Sequence, residues 1–60
     1  MENNQDRWDA AIKHAKEMFE VYKEIGPTGT FGAMMIASNI ALYEDGDRSE
    51  ALLESLENIK

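Results

Sequence analysis

An uncharged segment between two charged ones constrains this chain more than any other feature. Residues 26–43 contain no Asp, Glu, Lys or Arg, whereas residues 1–25 carry six acids and four bases and residues 44–60 carry six acids and two bases. A helix that is apolar nearly all round has to be covered nearly all round. The apolar helix predicted within it has thirteen residues from Phe31 to Tyr43, fewer than the roughly 20 that cross a bilayer, so we expect protein to cover it.

The chain has 60 residues, which predicts a single domain over residues 1–60. A chain of this length buries only about 60% of its unfolded surface. Small domains compensate with disulfides, metals or oligomerisation. The sequence has no cysteine and one histidine, so neither disulfides nor common metal sites are expected, and oligomerisation is the remaining means of stabilisation.

The hydrophobic periodicity predicts an all-α fold with three short helices, at about residues 6–24, 30–44 and 48–58. Gly26 and Pro27 should end the first helix, because glycine accepts a C-cap conformation and proline cannot continue a helix. Asp47 begins a capping box that predicts the start of the third helix. Ser49 is the alternative cap and would move that start by two residues.

The second helix carries two apolar stripes. One contains Phe31, Met35 and Leu42, with Met34 nearby. Short loops favour antiparallel neighbours, and we expect helices one and three to cover one stripe while the other meets a second copy at a two-fold axis. The alternative is a compact monomer that covers both. The stripe predicted as the interface of a homo-oligomeric bundle contains Ala33, Ile36, Ile40 and Tyr43.

The turn before the second helix is rich in glycine and threonine. Free backbone N–H groups at a helix start can hold an anion, although the spacing is not that of a P-loop. Lys23 or Arg48 would supply positive charge. The alternative is a tight turn in which these residues serve only backbone geometry and capping. The predicted ligand-binding residues in the turn are Thr28, Gly29, Thr30, Phe31 and Gly32.

Other function classes have less support in the sequence. The formal charge of −6 argues against binding to nucleic-acid backbones and to anionic membranes. No arrangement of a nucleophile and a base is visible, so we expect no enzyme, no catalytic residue and no cofactor. His14 with Glu17 lacks the order of a metal pair, and the acidic turn at residues 44–47 does not match a calcium loop. No secretory signal is recognised, which favours a cytoplasmic location.

In size, acidity and helical make-up, the chain resembles the small accessory proteins of phages and mobile elements, which act by binding and blocking. The resemblance implies a protein that sequesters an anionic ligand such as a nucleotide or cyclic nucleotide, like the phage sponges of immune signalling nucleotides, in the host cytosol. An alternative is an acidic inhibitor or adaptor that docks on a basic host protein and mimics DNA charge. A third is a purely structural oligomerisation module.

Overall fold

The computed structural model describes residues 4–60. It contains helix α1 (Asn4–Ile25), a 3-10 turn (Pro27–Gly29), helix α2 (Thr30–Glu44) and helix α3 (Glu50–Glu57). The predicted all-α fold is confirmed for these residues, and the predicted bounds of α2 agree with the structure. The molecule is elongated, with extents of 43 × 17 × 15 Å, because α1 is 22 residues long and rises about 1.5 Å per residue.

Helix α1 ends where the sequence predicts. Gly26 has a φ of +97°, a backbone conformation that residues with a side chain rarely adopt. Pro27 follows and opens the 3-10 turn. The turn reverses the chain, so that α2 runs antiparallel to α1 and the ring centroids of Trp8 and Tyr43 lie 5.4 Å apart.

Two glycines allow α1 and α2 to approach closely beside this turn. A Cβ atom on Gly29 would overlap the backbone carbonyl oxygen of Tyr22, and one on Gly32 would lie 3.2 Å from the Tyr22 ring. Gly29 has a φ of −92°, which any residue can adopt. Glycine is therefore needed at position 29 for lack of space and not for backbone conformation.

Helix α3 starts two residues later than the capping box predicts. The hydroxyl of Ser49 accepts a hydrogen bond from the Leu52 N–H at 3.3 Å, which makes Ser49 the N-cap. The Asp47 carboxylate accepts a hydrogen bond from the Ser49 N–H at 2.8 Å. This backbone bond holds the pKa of Asp47 below its ordinary value. Asp47 thus shapes the turn, and the alternative start at Ser49 is confirmed.

The core lies where α1 meets the other two helices. Leu56 of α3 and Ala15 of α1 are completely buried. Phe19, Tyr22 and Ile59 are partly buried against this core. The buried cluster contains Trp8, Ala11, Ile12, Ala15, Ile36, Leu52, Leu53 and Leu56.

The face of α2 that points inward is the one that the sequence analysis assigned to a second copy. Ala33 and Ile36 are buried within the chain, and Ile40 and Tyr43 are partly buried against its core. The predicted assignment of the two stripes is therefore reversed. The physical reason is the size of the side chains. Gly29 and Gly32, which let α2 approach α1 closely, lie on the same side of α2 as Ala33 and Ile36.

An arginine joins α1 to both ends of α3. Arg7 donates two hydrogen bonds to the Glu57 carboxylate, each 2.9 Å long, and its Nη2 lies 3.1 Å from Glu50. The hydrogen bonds from Arg7 hold the pKa of Glu57 below its ordinary value. Ile59 follows α3, and its carbonyl oxygen lies 2.6 Å from the His14 Nε2 of α1. The segment after α3 therefore packs along α1.

Candidate functional site

Three polar groups of the predicted anion site form hydrogen bonds within its own turn. The Gly29 N–H donates to the Gly26 carbonyl at 2.9 Å, and the Thr30 N–H donates to the Pro27 carbonyl. The Thr30 hydroxyl also donates to the Gly26 carbonyl, at 3.5 Å. An anion at a helix start needs N–H groups that have no other partner. The arrangement therefore favours a structural role for this turn.

The two predicted cations lie at opposite ends of α2. Lys23 lines the same groove as Thr30, but its Nζ lies 3.6 Å from Glu20 and 5.2 Å from the centroid of the Phe19 ring. Arg48 follows the other end of α2, which is about 22 Å long at the usual helical rise. The structure therefore brings Lys23, and not Arg48, to the glycine-threonine turn.

Arg48 has a structural environment of its own. Its guanidinium lies 3.8 Å from the centroid of the Tyr43 ring and 5.5 Å from that of Trp8. It also donates to the Tyr43 carbonyl at 2.7 Å and to the Asp47 carbonyl at 2.9 Å. These contacts stabilise the turn between α2 and α3 through cation–π interactions and hydrogen bonds to two carbonyl oxygens.

A shallow apolar groove of about 540 Å³ runs between α1 and α2. Its continuation toward the end of α2 shares Phe19 and Ala37 and includes Lys16 and Glu44. One wall therefore belongs to α1 and the other to the solvent-facing side of α2. The residues around the first part are Phe19, Lys23, Gly26, Thr30, Ala33, Met34 and Ala37.

Four of the six exposed large hydrophobic side chains of the described chain lie on the solvent-facing side of α2, which we call the open face. Phe31 is 73% exposed, Met34 64%, Met35 57% and Leu42 46%. A side chain of this size has an area of about 200 Å², so these four expose about 500 Å². The largest apolar patch of a typical monomer has about this area and is often functional. The open face comprises Phe31, Met34, Met35, Ala37, Ser38, Ala41 and Leu42.

The spacing of the open face is that of a helix that packs on another helix. Phe31, Met35, Ser38 and Leu42 are separated by four, three and four residues, which is the repeat of helix–helix seams. The sequence analysis identified both stripes but chose the other one as the interface. Gly29 lies seven residues before Ile36, on the same side of α2. A glycine at this position could have indicated that the side with Ile36 is the one that packs against α1.

The seven residues of the open face are uncharged, and Lys16, Lys23 and Glu44 border it along the groove. The Arg7 ion pairs join α1 to α3, and hydrogen bonding to acidic partners raises the pKa of Arg7 further above its already high value.

Within residues 4–60, no three acidic or histidine side chains are grouped as metal ligands. No helix in that range can cross a membrane, because α1 is charged and α2 has only 15 residues.

A comparison with protein-family models finds no match for this chain. Comparisons with curated proteins and with solved structures find no match either.

Proposed function

We propose that this chain is a non-enzymatic binding protein that docks an apolar helix of a protein partner on the open face of α2. The observation that carries the proposal is the exposure of four large apolar side chains on a helix that has no charged residue before Glu44. Such a protein acts stoichiometrically, in keeping with the resemblance to small accessory proteins of phages and mobile elements.

The chemistry of the open face selects the class of partner. It offers no charge to a nucleotide, to a metal or to a basic protein surface. Recognition of an amphipathic helix uses apolar anchors at helical spacing, and Phe31, Met35 and Leu42 have this spacing. Methionine at positions 34 and 35 adapts its shape to the partner surface because its side chain is unbranched and flexible.

The nucleotide-binding hypothesis ranks behind this proposal. The N–H groups of Gly29 and Thr30 bond within the turn, and Arg48 packs on Tyr43 at the other end of α2. Lys23 is the remaining predicted cation near the turn, and it lies beside Glu20. A doubly charged phosphate would therefore meet one cation already close to a carboxylate.

Methionine footprinting tests the proposal. The chain is exposed to a methionine oxidant once as a dilute purified sample and once in a clarified extract of cells that produce it. We expect Met34 and Met35 to react in the dilute sample and to be protected in the extract, because a partner helix covers them. Met18, which is partly buried in the chain, serves as an internal reference in both samples.

A matched pair of variants shows whether protection depends on the open face. Met35→Glu places a charge in the open face, and Ala10→Glu places the same charge on the exposed side of α1. Protection of Met34 should be lost in the first variant and kept in the second. Equal reactivity of Met34 in the dilute sample and in the extract would contradict the proposal.

Docking on a basic protein is a second candidate function. Residues 44–60 carry six acids against two bases, and the exposed Glu54 forms no ion pair with any described residue. Carbodiimide labelling in the same extract reports on this surface. Protection of Glu54 that disappears at high salt, with Met34 and Met35 still reactive, would favour this function over the open face.

A further inference from the structure

We infer that the helix on the open face is α2 of a second copy of this chain, lying antiparallel across a two-fold axis. This inference rests on the proposed function and names its partner. Three properties of the open face favour a second copy over an unrelated helix: its distribution of large and small side chains, the charges at its two ends, and its area.

Large and small side chains are unevenly distributed along the open face. Phe31, Met34 and Met35 lie in the first half of α2, whereas the second half has the small residues Ala37, Ser38 and Ala41 and one large residue, Leu42. A parallel copy would place bulky residues against bulky residues and leave a gap between the small ones. An antiparallel copy places the half of α2 with most of the large side chains against the half with the small ones. This arrangement packs closely without voids, and close packing stabilises contacts between helices.

The antiparallel arrangement also fixes a register. When Met35 of one copy faces Ser38 of the other, Phe31 faces Leu42 of the second copy, and the same contacts repeat on the other side of the axis. Met35 then meets the much smaller Ser38, and the Phe31 ring meets Leu42, whose side chain is smaller than its own. A single self-complementary patch is sufficient for such a two-fold pair.

The two ends of α2 differ in charge in a way that favours the same orientation. Lys23 lines the groove next to Thr30 at the start of α2, while Glu44 ends the helix and Asp45 follows it. The N-terminus of a helix carries partial positive charge and its C-terminus partial negative charge. An antiparallel copy brings Glu44 and Asp45 toward the partly positive start of the other α2, whereas a parallel copy brings like ends together.

The area is sufficient for a specific pair. The four large side chains expose about 500 Å² per copy, so two copies bury on the order of 1,000 Å², which is the size at which specific protein interfaces begin. The same contact would supply part of the burial that a 60-residue chain lacks.

Sedimentation velocity over a concentration series tests the pair. We expect the wild-type chain to change from one copy to two within the micromolar range. Met35→Glu should raise the dissociation constant at least tenfold, because pairing would bury a carboxylate without a partner. Ala10→Glu adds the same charge outside the open face and should leave the constant within about twofold. Circular dichroism verifies that both variants keep their helices.

Cysteine pairing tests the orientation, and the chain is suited to it because it has no cysteine of its own. Phe31→Cys and Leu42→Cys chains are mixed and oxidised. An antiparallel pair gives the mixed 31–42 disulfide in excess over the two symmetric products, and a parallel pair gives the reverse. Ser55→Cys, on the exposed side of α3, is the control that should stay unlinked.

Failure of this inference can be told apart from failure of the proposed function. A wild-type chain that remains a single copy up to high micromolar concentration, with Met34 and Met35 protected in the extract, overturns the second copy and leaves another protein as the partner. Methionines that stay reactive in both samples overturn both proposals. Dominant symmetric disulfides overturn the antiparallel arrangement.

Discussion

The two long faces of α2 have similar apolar character and different environments. Ala33 and Ile36 on the inner face are buried, whereas Phe31 and Met35 on the open face are more than half exposed. Hydrophobicity alone does not separate the two faces. The difference comes from side-chain size next to α1, since Gly29 and Gly32 leave room for Tyr22 on one side of the helix.

A helix that is apolar on both sides, such as α2, has two separate surfaces, one that stabilises the fold and one that binds a partner. Substitutions on the inner face should change the free energy of unfolding of the single chain. Substitutions on the open face should change only the binding of a partner.

Ile36→Ala should have the largest effect. The side chain is 3% exposed, and truncation of a buried isoleucine lowers the free energy of unfolding by about 2–5 kcal/mol because of lost burial and a cavity. Met35→Ala, one residue earlier on the open face, should change it by less than about 0.5 kcal/mol. Urea denaturation at low protein concentration measures both. Similar losses for the two variants would remove the distinction between the faces.

Gly29→Ala should destabilise the chain by about 3 kcal/mol, at the upper end of overpacking effects. The new methyl group would overlap the Tyr22 carbonyl oxygen, so α1 and α2 would have to move apart. Gly46→Ala is the control, since nothing lies within 4 Å of its Cβ position and only its φ of +108° opposes the change. That control should lose about 1 kcal/mol. Thermal melts of both variants show whether lack of space at position 29 or backbone conformation at position 46 causes the larger loss of stability.

Ser49→Ala should lower the free energy of unfolding by about 1 kcal/mol, because the Leu52 N–H loses the hydroxyl that caps α3. Helix α3 covers the core behind the inner face of α2, so the loss should appear in unfolding and not in association. Ser55→Ala, on the exposed side of the same helix, provides the matched comparison. A change in the dissociation constant without a change in unfolding would argue against the assigned role.

The smallest effect should be a pH dependence. Hydrogen bonds from Arg7 lower the pKa of Glu57 below its ordinary value of 4.5, so the ionised carboxylate favours the folded state. This contribution is complete above pH 4.5 and is lost as the pH falls through the lowered pKa. Glu57→Gln should make stability less dependent on pH in this range. Urea midpoints measured from pH 6 to about pH 3 report the difference.

The sequence predicted the helices well because local signals define them. The periodicity of α1 and the Gly26–Pro27 dipeptide are local, and so is the change from uncharged to acidic sequence after Tyr43. The start of α3 was less certain, since Asp47 and Ser49 are both good capping residues. In the structure Ser49 is the N-cap, and the Asp47 carboxylate accepts a hydrogen bond from the Ser49 N–H.

The candidate site was harder to predict because it depends on tertiary contacts. A glycine-threonine helix start is compatible both with an anion site and with a tight turn, and only the hydrogen bonds of Gly29 and Thr30 favour the turn. Arg48 is a free cation in the sequence but a packed one in the structure. The open face was recognised as a stripe, yet its exposure depends on which side of α2 fits against α1.

The position of Trp8 makes folding and docking spectroscopically separable. This indole is the only one in the chain, and it lies against Tyr43 and Arg48, near the end of α2 opposite Phe31. Its emission should change when the three helices come apart. Because Trp8 is only 5% exposed and outside the open face, the same emission should remain constant when a partner binds, so intrinsic fluorescence is a folding reporter that is silent to complex formation.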